Sequence, residues 1–503
     1  MSNTFAHSIM IQGTMSNAGK SLVVAALCRI FRNEGYRIAP FKSQNMALNS
    51  GVTLDGLEMG RAQIMQAQAA GIEADVRMNP ILLKPTSHHA SQVIVLGEPV
   101  ATMKAQEYFS YRTSLIPKIK EAYYSLASEH DIIIIEGAGS PAEINLRAND
   151  IVNMGLAELL DVPVLLVGDI DRGGVFASLY GTVELISKSE RNRIKGFLIN
   201  KFRGSLELLQ DGLTQIAELT KIPVLGVIPF IERLYIDDED SLSEQLITVQ
   251  KKNPLLHIAV VRLPYISNFT DFNALTHLPF VQVSFFESLE EYNKNEFAAT
   301  TVDLLILPGT KNTINALLWL RQTKIDTLIQ KLAKQGTPII GICGGFQLLG
   351  DVIYDTDKIE NTEFDCVKAL SLLPVKTIFT KEKTHMQVTQ KLPNIKGFFK
   401  SFSHCEIQFY EIHHGKTILL EEENSDHEIH FFADDCILGT YAHGLFDNDA
   451  LLHTLLTILA KRKGSTIPEY QSYSALREQG YERLAEVVSH SVDIKTIKKI
   501  IGC

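Results

Sequence analysis

The chain has 503 residues, of which 45% are hydrophobic and 21% are charged, and its formal net charge at pH 7 is -10. A chain of this length exceeds one ordinary hydrophobic core, so we expect a soluble globular protein of two to four domains. The acidic balance argues against a general affinity for nucleic acid or for anionic membranes. The longest apolar runs, such as 132–135 and 162–167, have the length of strands and are too short to cross a bilayer.

Residues 1–8 contain no basic region followed by a long apolar stretch, and the six cysteines form no CxxC pair. Neither feature indicates secretion or a zinc module. Both are typical of a protein of the reducing cytoplasm.

Strand-like and helix-like segments alternate through the first half of the chain, which is typical of a parallel sheet covered by helices. A strand at 8–12 leads into a glycine-rich loop, and a helix over 20–34 follows and ends near Gly35. Further strands are expected at 37–41, 131–135, 162–167, 194–199 and 224–228. Because open parallel sheets bind ligands at the carboxyl ends of their strands, the polar turns after these strands are candidate sites.

Residues 236–255 are predicted to form a linker, since they contain an acidic stretch followed by two lysines and a proline. A second α/β pattern follows, with strands expected at 256–263, 281–286, 304–307, 338–342 and 437–441. Helical and charged sequence begins at Leu451. The sequence therefore predicts one α/β domain over 1–235, a second over 256–450, and a helical extension over 451–503.

The loop after the first strand reads GTMSNAGKS (13–21), one residue longer than the standard phosphate-binding P-loop. Amides of such a loop and of the helix behind it point at phosphate oxygens, where Lys20 adds a positive charge. Ser21 supplies a hydroxyl to a phosphate-bound Mg²⁺. The flanking strand and helix favour nucleotide binding over a plain strand-to-helix turn. The residues expected to bind the nucleotide are Gly13, Thr14, Asn17, Ala18, Gly19, Lys20 and Ser21.

Polar residues after other strands are candidates for the metal ion and the rest of the nucleotide. Glu136 follows four isoleucines and precedes a glycine-rich turn, which suits a ligand of phosphate-bound Mg²⁺. Asp55 and Glu58 are expected to share one face of a turn as further ligands, against the interpretation of a solvated loop. Lys42 is expected to contact the γ-phosphate or a substrate carboxylate. The competing interpretation is an ordinary surface lysine. Asn200 stands where P-loop proteins often contact the nucleobase.

The pattern GICGG (341–345) is typical of a sharp strand-to-helix elbow that presents a nucleophile, here Cys343. A thiol at a helix N-terminus is favoured as the reactive thiolate. The amides of Gly344 and Gly345, with the turn at Gly309, are expected to hold an oxyanion. The competing interpretation is a buried, inert cysteine, but the preceding strand and the flanking glycines favour a nucleophile.

A thiol nucleophile needs a base, and His443 is the best placed of the 15 histidines because it ends a strand in a short glycine turn. His413 and His414 are the rival candidates.

Taken together, these motifs resemble the cobyric acid synthase family, the glutamine-hydrolysing amidotransferases of cobalamin biosynthesis. The resemblance covers nearly the whole chain, and the combination of motifs is specific where each alone is not. It is carried by the phosphate loop, the elbow and the segments FKSQNMALN (41–49), EGAGSPAE (136–143), DIDRGG (169–174), NKFRG (200–204), LPGTKNT (307–313), YEIH (410–413) and HGLF (443–446).

The resemblance implies an ATP-dependent synthetase domain related to dethiobiotin synthetase over 1–235 and a class I glutamine amidotransferase domain over 256–450. It implies that ATP and Mg²⁺ activate four peripheral carboxylates (b, d, e and g) of adenosylcobyrinic acid a,c-diamide as acyl phosphates. Ammonia from glutamine then gives the amides of adenosylcobyric acid. The expected partners are glutamine and this corrinoid, with no nucleic acid and no membrane, in the cytoplasm; the oligomeric state stays open.

Cys343 and His443 match the nucleophile and the base of that family. Ordinary class I domains carry a glutamate two residues after the histidine, where this chain has Leu445, so we expect Glu411 as the third catalytic member. The alternatives are the a,c-diamide synthetase of the same pathway, a cell-wall lipid amidotransferase, and a non-catalytic P-loop ATPase scaffold. The segment at 42–49 favours cobyric acid synthase over the first two, and the elbow with His443 disfavours the third.

Overall fold

The computed structural model describes residues 6–85, 90–232, 234–236, 250–294, 302–360, 363–421 and 428–503. The chain forms two compact units. The first unit contains Met1–Thr53, Leu57–Glu239 and Leu476–Cys503, and the second contains Leu54–Gly56 and Asp240–Ala475. The segment 451–503 is therefore divided between the two units. Residues 237–249 of the expected linker lie outside the described residues.

The first unit is an α/β structure. Its strands are β1 (His7–Gly13), β2 (Ile38–Phe41), β3 (Gln44–Met46), β4 (Ser50–Val52), β5 (Glu58–Gly60), β6 (Ile81–Pro85), β7 (Ala90–Val95), β8 (Glu98–Lys104), β9 (Ile132–Glu136), β10 (Val164–Asp169), β11 (Ile194–Phe202) and β12 (Val224–Pro229). Its helices before the second unit are α1 (Lys20–Asn33), α2 (Arg61–Ala70), α3 (Ala105–Tyr111), α4 (Ile116–Glu129), α5 (Met154–Leu159), α6 (Val175–Leu185), α7 (Lys188–Arg191) and α8 (Leu206–Thr220).

The main sheet of this unit has six strands in the order β12-β11-β10-β1-β9-β2, and all of its pairings are parallel. The four isoleucines of β9 are fully buried, as expected for an inner strand that helices cover on both faces. Because β1 lies between β9 and β10, the phosphate loop after β1 emerges beside the carboxyl ends of both neighbours. The α/β class predicted for this half of the chain is confirmed.

Two small sheets of the first unit were not predicted from the sequence. One has the order β3-β6-β7-β8 and the other pairs β4 with β5. Their strands are short or carry mixed polar and apolar residues, such as the pattern of alternating exposure along β8. Strands of this kind lack the continuous apolar run that marks a buried parallel strand.

The second unit is also an α/β structure. Its strands are β13 (Leu256–Val261), β14 (Val281–Phe286), β15 (Leu304–Leu307), β16 (Ile339–Ile342), β17 (Val352–Tyr354), β18 (Cys366–Lys368), β19 (Val375–Lys391), β20 (Glu406–Leu419), β21 (Phe431–Asp434) and β22 (Ile437–Thr440). Its helices are α9 (Asn273–Thr276), α10 (Leu289–Tyr292), α11 (Thr313–Gln322), α12 (Ile325–Lys334), α13 (Gly344–Leu349) and α14 (Asp449–Arg462).

The main sheet of the second unit has the order β14-β13-β15-β16-β22-β21, with parallel pairings except for the antiparallel edge strand β21. A second sheet, β18-β17-β19-β20, is dominated by the long antiparallel pair β19 and β20, which the sequence analysis did not predict. The order of the main sheet brings the carboxyl ends of β13, β15, β16 and β22 to one edge. The predicted second parallel sheet is confirmed.

The chain ends in two helices, α15 (Tyr473–Ser491) and α16 (Ile494–Ile501). In the first unit, the guanidinium of Arg29 on α1 is almost completely buried and bonds Glu478 at 2.6 Å and Glu482 at 3.0 Å. The amide of Asp493 donates to the carbonyl of Leu225 at 2.8 Å. These contacts hold the chain terminus against α1 and β12. None of the described helices is long and apolar enough to cross a bilayer.

Candidate active sites

The phosphate loop begins at the end of β1 and closes on the first turn of α1. Gly19 has a φ of 94°, and a Cβ there would lie 2.0 Å from Nδ2 of Asn200. Both the backbone conformation and the close approach therefore require glycine. The Nζ of Lys20 donates to the carbonyls of Met15 at 3.1 Å and of Gly139 at 3.3 Å. The lysine thus lies across the loop.

Glu136, at the carboxyl end of β9, is the centre of a buried polar cluster. Its Oε1 accepts from Oγ of Ser21 at 2.9 Å and from Nζ of Lys42 at 2.7 Å, and its Oε2 accepts from Nε2 of Gln66 at 2.5 Å. Lys42 and Gln66 are buried as well. The structure therefore brings together three of the predicted residues, and Lys42 is not a surface lysine.

Residues near the carboxyl ends of β10 and β11 also hold the loop. Nδ2 of Asn200 donates to the carbonyl of Ala18 at 2.9 Å, and Nζ of Lys201 donates to the carbonyl of Asn17 at 2.7 Å. Lys201 also pairs with the buried carboxylate of Asp169 at 3.0 Å. The conformation of the loop therefore depends on side chains at the carboxyl ends of two neighbouring strands.

Asp55 and Glu58 do not share one environment. Asp55 is exposed. Glu58 is buried in β5, where its carboxylate accepts from Oγ of Ser50 at 2.7 Å and pairs with Lys84. The two carboxylates therefore do not share one face of a turn, since Glu58 lies in β5, which pairs with β4, and its side chain is buried.

Cys343 forms the elbow between β16 and α13. Its backbone has φ 53° and ψ -112°, a conformation that L-residues rarely adopt and that is common at functional turns. A Cβ on Gly345 would lie 2.0 Å from the carbonyl oxygen of Leu307, and one on Gly341 would lie 2.6 Å from that of Gly345. Gly345 is required because α13 packs directly on β15, and Gly341 is required because β16 packs directly on α13.

The turn after β15 borders this elbow. A Cβ on Gly344 would lie 3.1 Å from the amide nitrogen of Thr310, and one on Gly309 would lie 3.1 Å from Cε1 of His443. Helix α13 leaves its first amides without acceptors inside the helix. Of the three glycines that were predicted to form an oxyanion site, Gly344 and Gly345 directly follow the thiol in the chain and Gly309 lies beside the His443 ring.

His443 is fully buried, and its partner is a carboxylate that the sequence analysis missed. Nδ1 of His443 lies 2.8 Å from Oδ2 of Asp271, and the amide of Gly444 donates to Oδ1 of the same carboxylate at 2.8 Å. The ring stacks on Tyr410 with 5.3 Å between centroids. Burial opposes protonation, but the charge and hydrogen bond of Asp271, together with the approach of Cys343, outweigh it and raise the pKa of His443 to about 10.

Glu411 is not the carboxylate that contacts His443, so its prediction as the third member is corrected to Asp271. Glu411 lies on β20 and bonds Nδ1 of His430 at 2.8 Å and Nε2 of His413 at 3.4 Å. The rival base His413 is therefore paired with Glu411. The other rival, His414, lies 3.3 Å from the carbonyl of Thr380 through its Nδ1.

Several groups near the thiol site carried no motif or spacing signal in the sequence. The thiol of Cys343 lies 3.6 Å from the carbonyl oxygen of Ile412, and backbone contacts of this kind leave no trace in residue types. Gln347 on α13 donates to the carbonyl of His414 at 3.0 Å and accepts from Thr313 at 2.9 Å. These bonds fix the position of α13, the helix that follows the thiol. Asp271 lies ten residues beyond the end of β13, on the helical turn Phe269–Phe272, so neither a motif nor a strand end marked it in the sequence.

Two family descriptions match the chain. Residues 9–244 match the CobQ/CobB/MinD/ParA nucleotide binding domain, and residues 257–451 match the CobB/CobQ-like glutamine amidotransferase domain. Curated relatives described as cobyric acid synthase include those of Ruminiclostridium cellulolyticum, 48% identical over 99% of this chain and 97% of the relative, and Lachnoclostridium phytofermentans, 46% identical over 99% of both. Among solved structures, PurLQS from Thermotoga maritima aligns with 40% of this chain and 92% of its own, at 19% identity and a TM-score of 0.28.

Proposed function

The chain belongs to the cobyric acid synthase family, and on this basis we propose that it amidates the b, d, e and g carboxylates of adenosylcobyrinic acid a,c-diamide with nitrogen from glutamine and energy from ATP. Family membership makes it a glutamine amidotransferase ligase of cobalamin biosynthesis that contains a nucleotide-binding domain. The observation that carries the proposal is the buried arrangement of Cys343 beside His443 and Asp271, in a chain that also has a phosphate loop.

In the second unit, the proposed reaction is the hydrolysis of the glutamine side-chain amide. The thiolate of Cys343 attacks the amide carbon, and His443 gives its proton to the departing ammonia. Asp271 fixes the ring of His443 and stabilises its charged form. Water then hydrolyses the glutamyl thioester to release glutamate.

The negative oxygen of the tetrahedral intermediate needs hydrogen-bond donors close to the thiol. The amides of Gly344 and Gly345 and the turn at Gly309 are proposed to supply them, since these residues border the thiol and the histidine. Loss of one such donor costs about 3 kcal/mol of transition-state stabilisation in comparable sites.

In the first unit, the proposed reaction is transfer of the γ-phosphoryl group of ATP to a corrinoid carboxylate. Lys20 and the loop amides are proposed to bind the phosphates, and the loop residues proposed for this are Gly13, Thr14, Asn17, Ala18 and Gly19. Lys42 is proposed to move from Glu136 to the phosphate or to the substrate carboxylate. Ammonia then displaces phosphate from the acyl phosphate to give the amide.

Mg²⁺ is proposed to accompany ATP. The hydroxyl of Ser21 and the carboxylate of Glu136 lie 2.9 Å apart, and both are the oxygen ligands that this ion prefers, so the residues present fit it. The buried Glu58 of the same unit is the proposed further carboxylate. When bound, the ion would offset the negative charge of the phosphate oxygens. Asn200 is proposed to act on the nucleotide by holding the loop, since its amide bonds Ala18.

The experiment that tests this function is mass spectrometry of the corrinoid after turnover with ATP and glutamine. We expect four replacements of a carboxylate by an amide in adenosylcobyrinic acid a,c-diamide. Cobyrinic acid without the a and c amides is the matched control substrate, and its preferred amidation would identify the chain as an a,c-diamide synthetase instead. Glutamine hydrolysis without any change in either corrinoid would contradict the proposal.

A further inference from the structure

Three side chains of the second unit converge on one point that the proposed chemistry does not use. They are Glu411, His413 and His430, and one ligand atom from each lies within 4.8 Å of the other two. Glu411 and His413 alternate along β20 and therefore face the same side of the strand. His430 approaches from the residue just before β21. We propose that this cluster binds a divalent transition-metal cation of the Zn²⁺ class, which holds β20 against the thiol elbow.

The separations between the ligand atoms suit such an ion. Oε2 of Glu411 lies 2.8 Å from Nδ1 of His430 and 3.4 Å from Nε2 of His413. A tetrahedral site with metal–ligand bonds near 2.0 Å places neighbouring ligand atoms about 3.3 Å apart. The two separations from Glu411 bracket this value, and the ligand atoms of the two histidines lie within 4.8 Å of each other, so modest adjustments place the three atoms at corners of such a site.

Both ring nitrogens of His413 face hydrogen-bond acceptors. Its Nδ1 lies 3.1 Å from the carbonyl oxygen of Gly415, while its Nε2 faces the carboxylate of Glu411. A neutral imidazole has one N–H, so it satisfies only one of these two acceptors. A metal ion at Nε2 resolves this conflict, since Nδ1 then keeps the single proton and donates it to the Gly415 carbonyl. Metal-binding histidines usually donate their other ring N–H to such a group.

Two of the three side chains are buried, and the third is partly open to solvent. The side chains of Glu411 and His413 are almost completely buried, and the His413 ring stacks on Tyr441 with 3.7 Å between centroids. The side chain of His430 is 32% exposed, which leaves a route for the ion and a position for water. Two imidazoles and one carboxylate favour Zn²⁺, Co²⁺ or Ni²⁺ over Mg²⁺ or Ca²⁺.

The cluster is connected to the thiol through a single residue. Ile412 lies between Glu411 and His413 on β20, and its carbonyl oxygen is the group 3.6 Å from the thiol of Cys343. Fixing the two neighbours of Ile412 fixes this carbonyl. The expected role is therefore structural, as an anchor of the strand that borders the nucleophile.

Cobalt is the best probe, because Co²⁺ bound tetrahedrally by nitrogen and oxygen absorbs visible light, whereas a thiolate ligand adds a strong near-ultraviolet band. We expect the metal-stripped full chain to bind one Co²⁺ with the visible bands and without the thiolate band. Zn²⁺ should displace it. His430→Ala removes a partly exposed ligand and should weaken binding at least about tenfold. Glu411→Gln should do the same.

The matched control is His490→Ala, which removes an exposed histidine of the first unit. It should keep the Co²⁺ spectrum and affinity of the unchanged chain. A rise in unfolding temperature on metal addition should likewise appear in the unchanged chain and in H490A but not in H430A. Absence of tetrahedral Co²⁺, a thiolate band, or equal binding by H430A would overturn the proposal.

Discussion

The thiol site of the second unit and the phosphate site of the first unit hold their reactive groups in different ways. In the thiol site, His443 already has its orienting partner, since Asp271 lies 2.8 Å from its Nδ1. In the phosphate site, the cations are paired with the protein itself: Lys20 with two backbone carbonyls and Lys42 with Glu136. The first site is preorganised, whereas the second must exchange partners when phosphates arrive. Single substitutions should therefore separate the two activities cleanly.

The largest effect is expected from Cys343→Ala. Without the thiol no glutamyl thioester forms, so glutamate release should fall at least about a thousandfold. Amidation of the corrinoid with ammonium salts should persist, because the phosphate site has its own groups. Glutamate release measures glutamine hydrolysis, and ammonium-dependent product formation measures amide synthesis. The exposed Cys366→Ala is the matched control. Loss of both activities in a folded C343A protein would contradict the division into two sites.

The reciprocal substitution is Lys20→Ala. Removing a charge that stabilises the transferred phosphoryl group should lower amide synthesis about a thousandfold with either nitrogen source. Hydrolysis of glutamine should be unchanged when it is measured without corrinoid. Lys188→Ala, which removes an exposed lysine of the same unit, should match the unchanged chain in both assays. A K20A protein that still makes amides from ammonium salts would mean that the loop does not bind the reacting phosphate.

A smaller effect is expected from Asp271→Asn. The substitution keeps the shape of the side chain but removes the charge that orients and stabilises the His443 ring. We expect glutamine hydrolysis to fall about a hundredfold, within the range typical of general acid–base contributions, with little change in KM. The exposed Asp434→Asn is the control in the same unit. Unchanged hydrolysis by D271N would show that the contact with His443 is not used.

The comparison also explains how far the sequence alone could reach. The phosphate loop was predicted because its residues are contiguous and lie between a strand and a helix. The partner of His443 was not, because Asp271 is 172 residues away in the chain and no spacing rule joins the two. Glu411 belongs to the YEIH motif, which suggested it as the third catalytic member. Because side chains alternate along a strand, Glu411 and His413 share one face of β20, where Glu411 contacts His430 and not His443. Parallel strands were recognised by their apolar runs, while the mixed strands β19 and β20 gave no such signal.

The pH dependence of stability offers a direct test of the preorganised site. The pKa of His443 is raised from 6.5 to about 10, so the stabilisation from its proton is fully present below pH 6.5 and is lost as the pH rises through 10. Between these values only the folded state holds the proton, so the free energy of unfolding should fall by about 1.4 kcal/mol per pH unit from this group. Asp271→Asn should reduce this slope, because it removes the largest of the contributions that raise the pKa. The single tryptophan, Trp319 in α11, reports denaturant unfolding of the second unit. Parallel pH profiles for the two proteins would contradict this origin of the pKa shift.

The smallest effect concerns how the phosphate site is held together. On α2, Nε2 of Gln66 donates to Oε2 of the Glu136 carboxylate at 2.5 Å, whereas Ser21 and Lys42 donate to Oε1. Gln66→Leu should raise the Mg²⁺ concentration for half-maximal amide synthesis about tenfold, because groups that orient a metal ligand typically contribute that much. Glutamine hydrolysis should not change. Gln68→Leu, on the same helix, is the control. An equal loss of synthesis at saturating Mg²⁺ would instead mean that Gln66 supports the fold of the site, because a residue that only orients Glu136 is compensated by more of the ion.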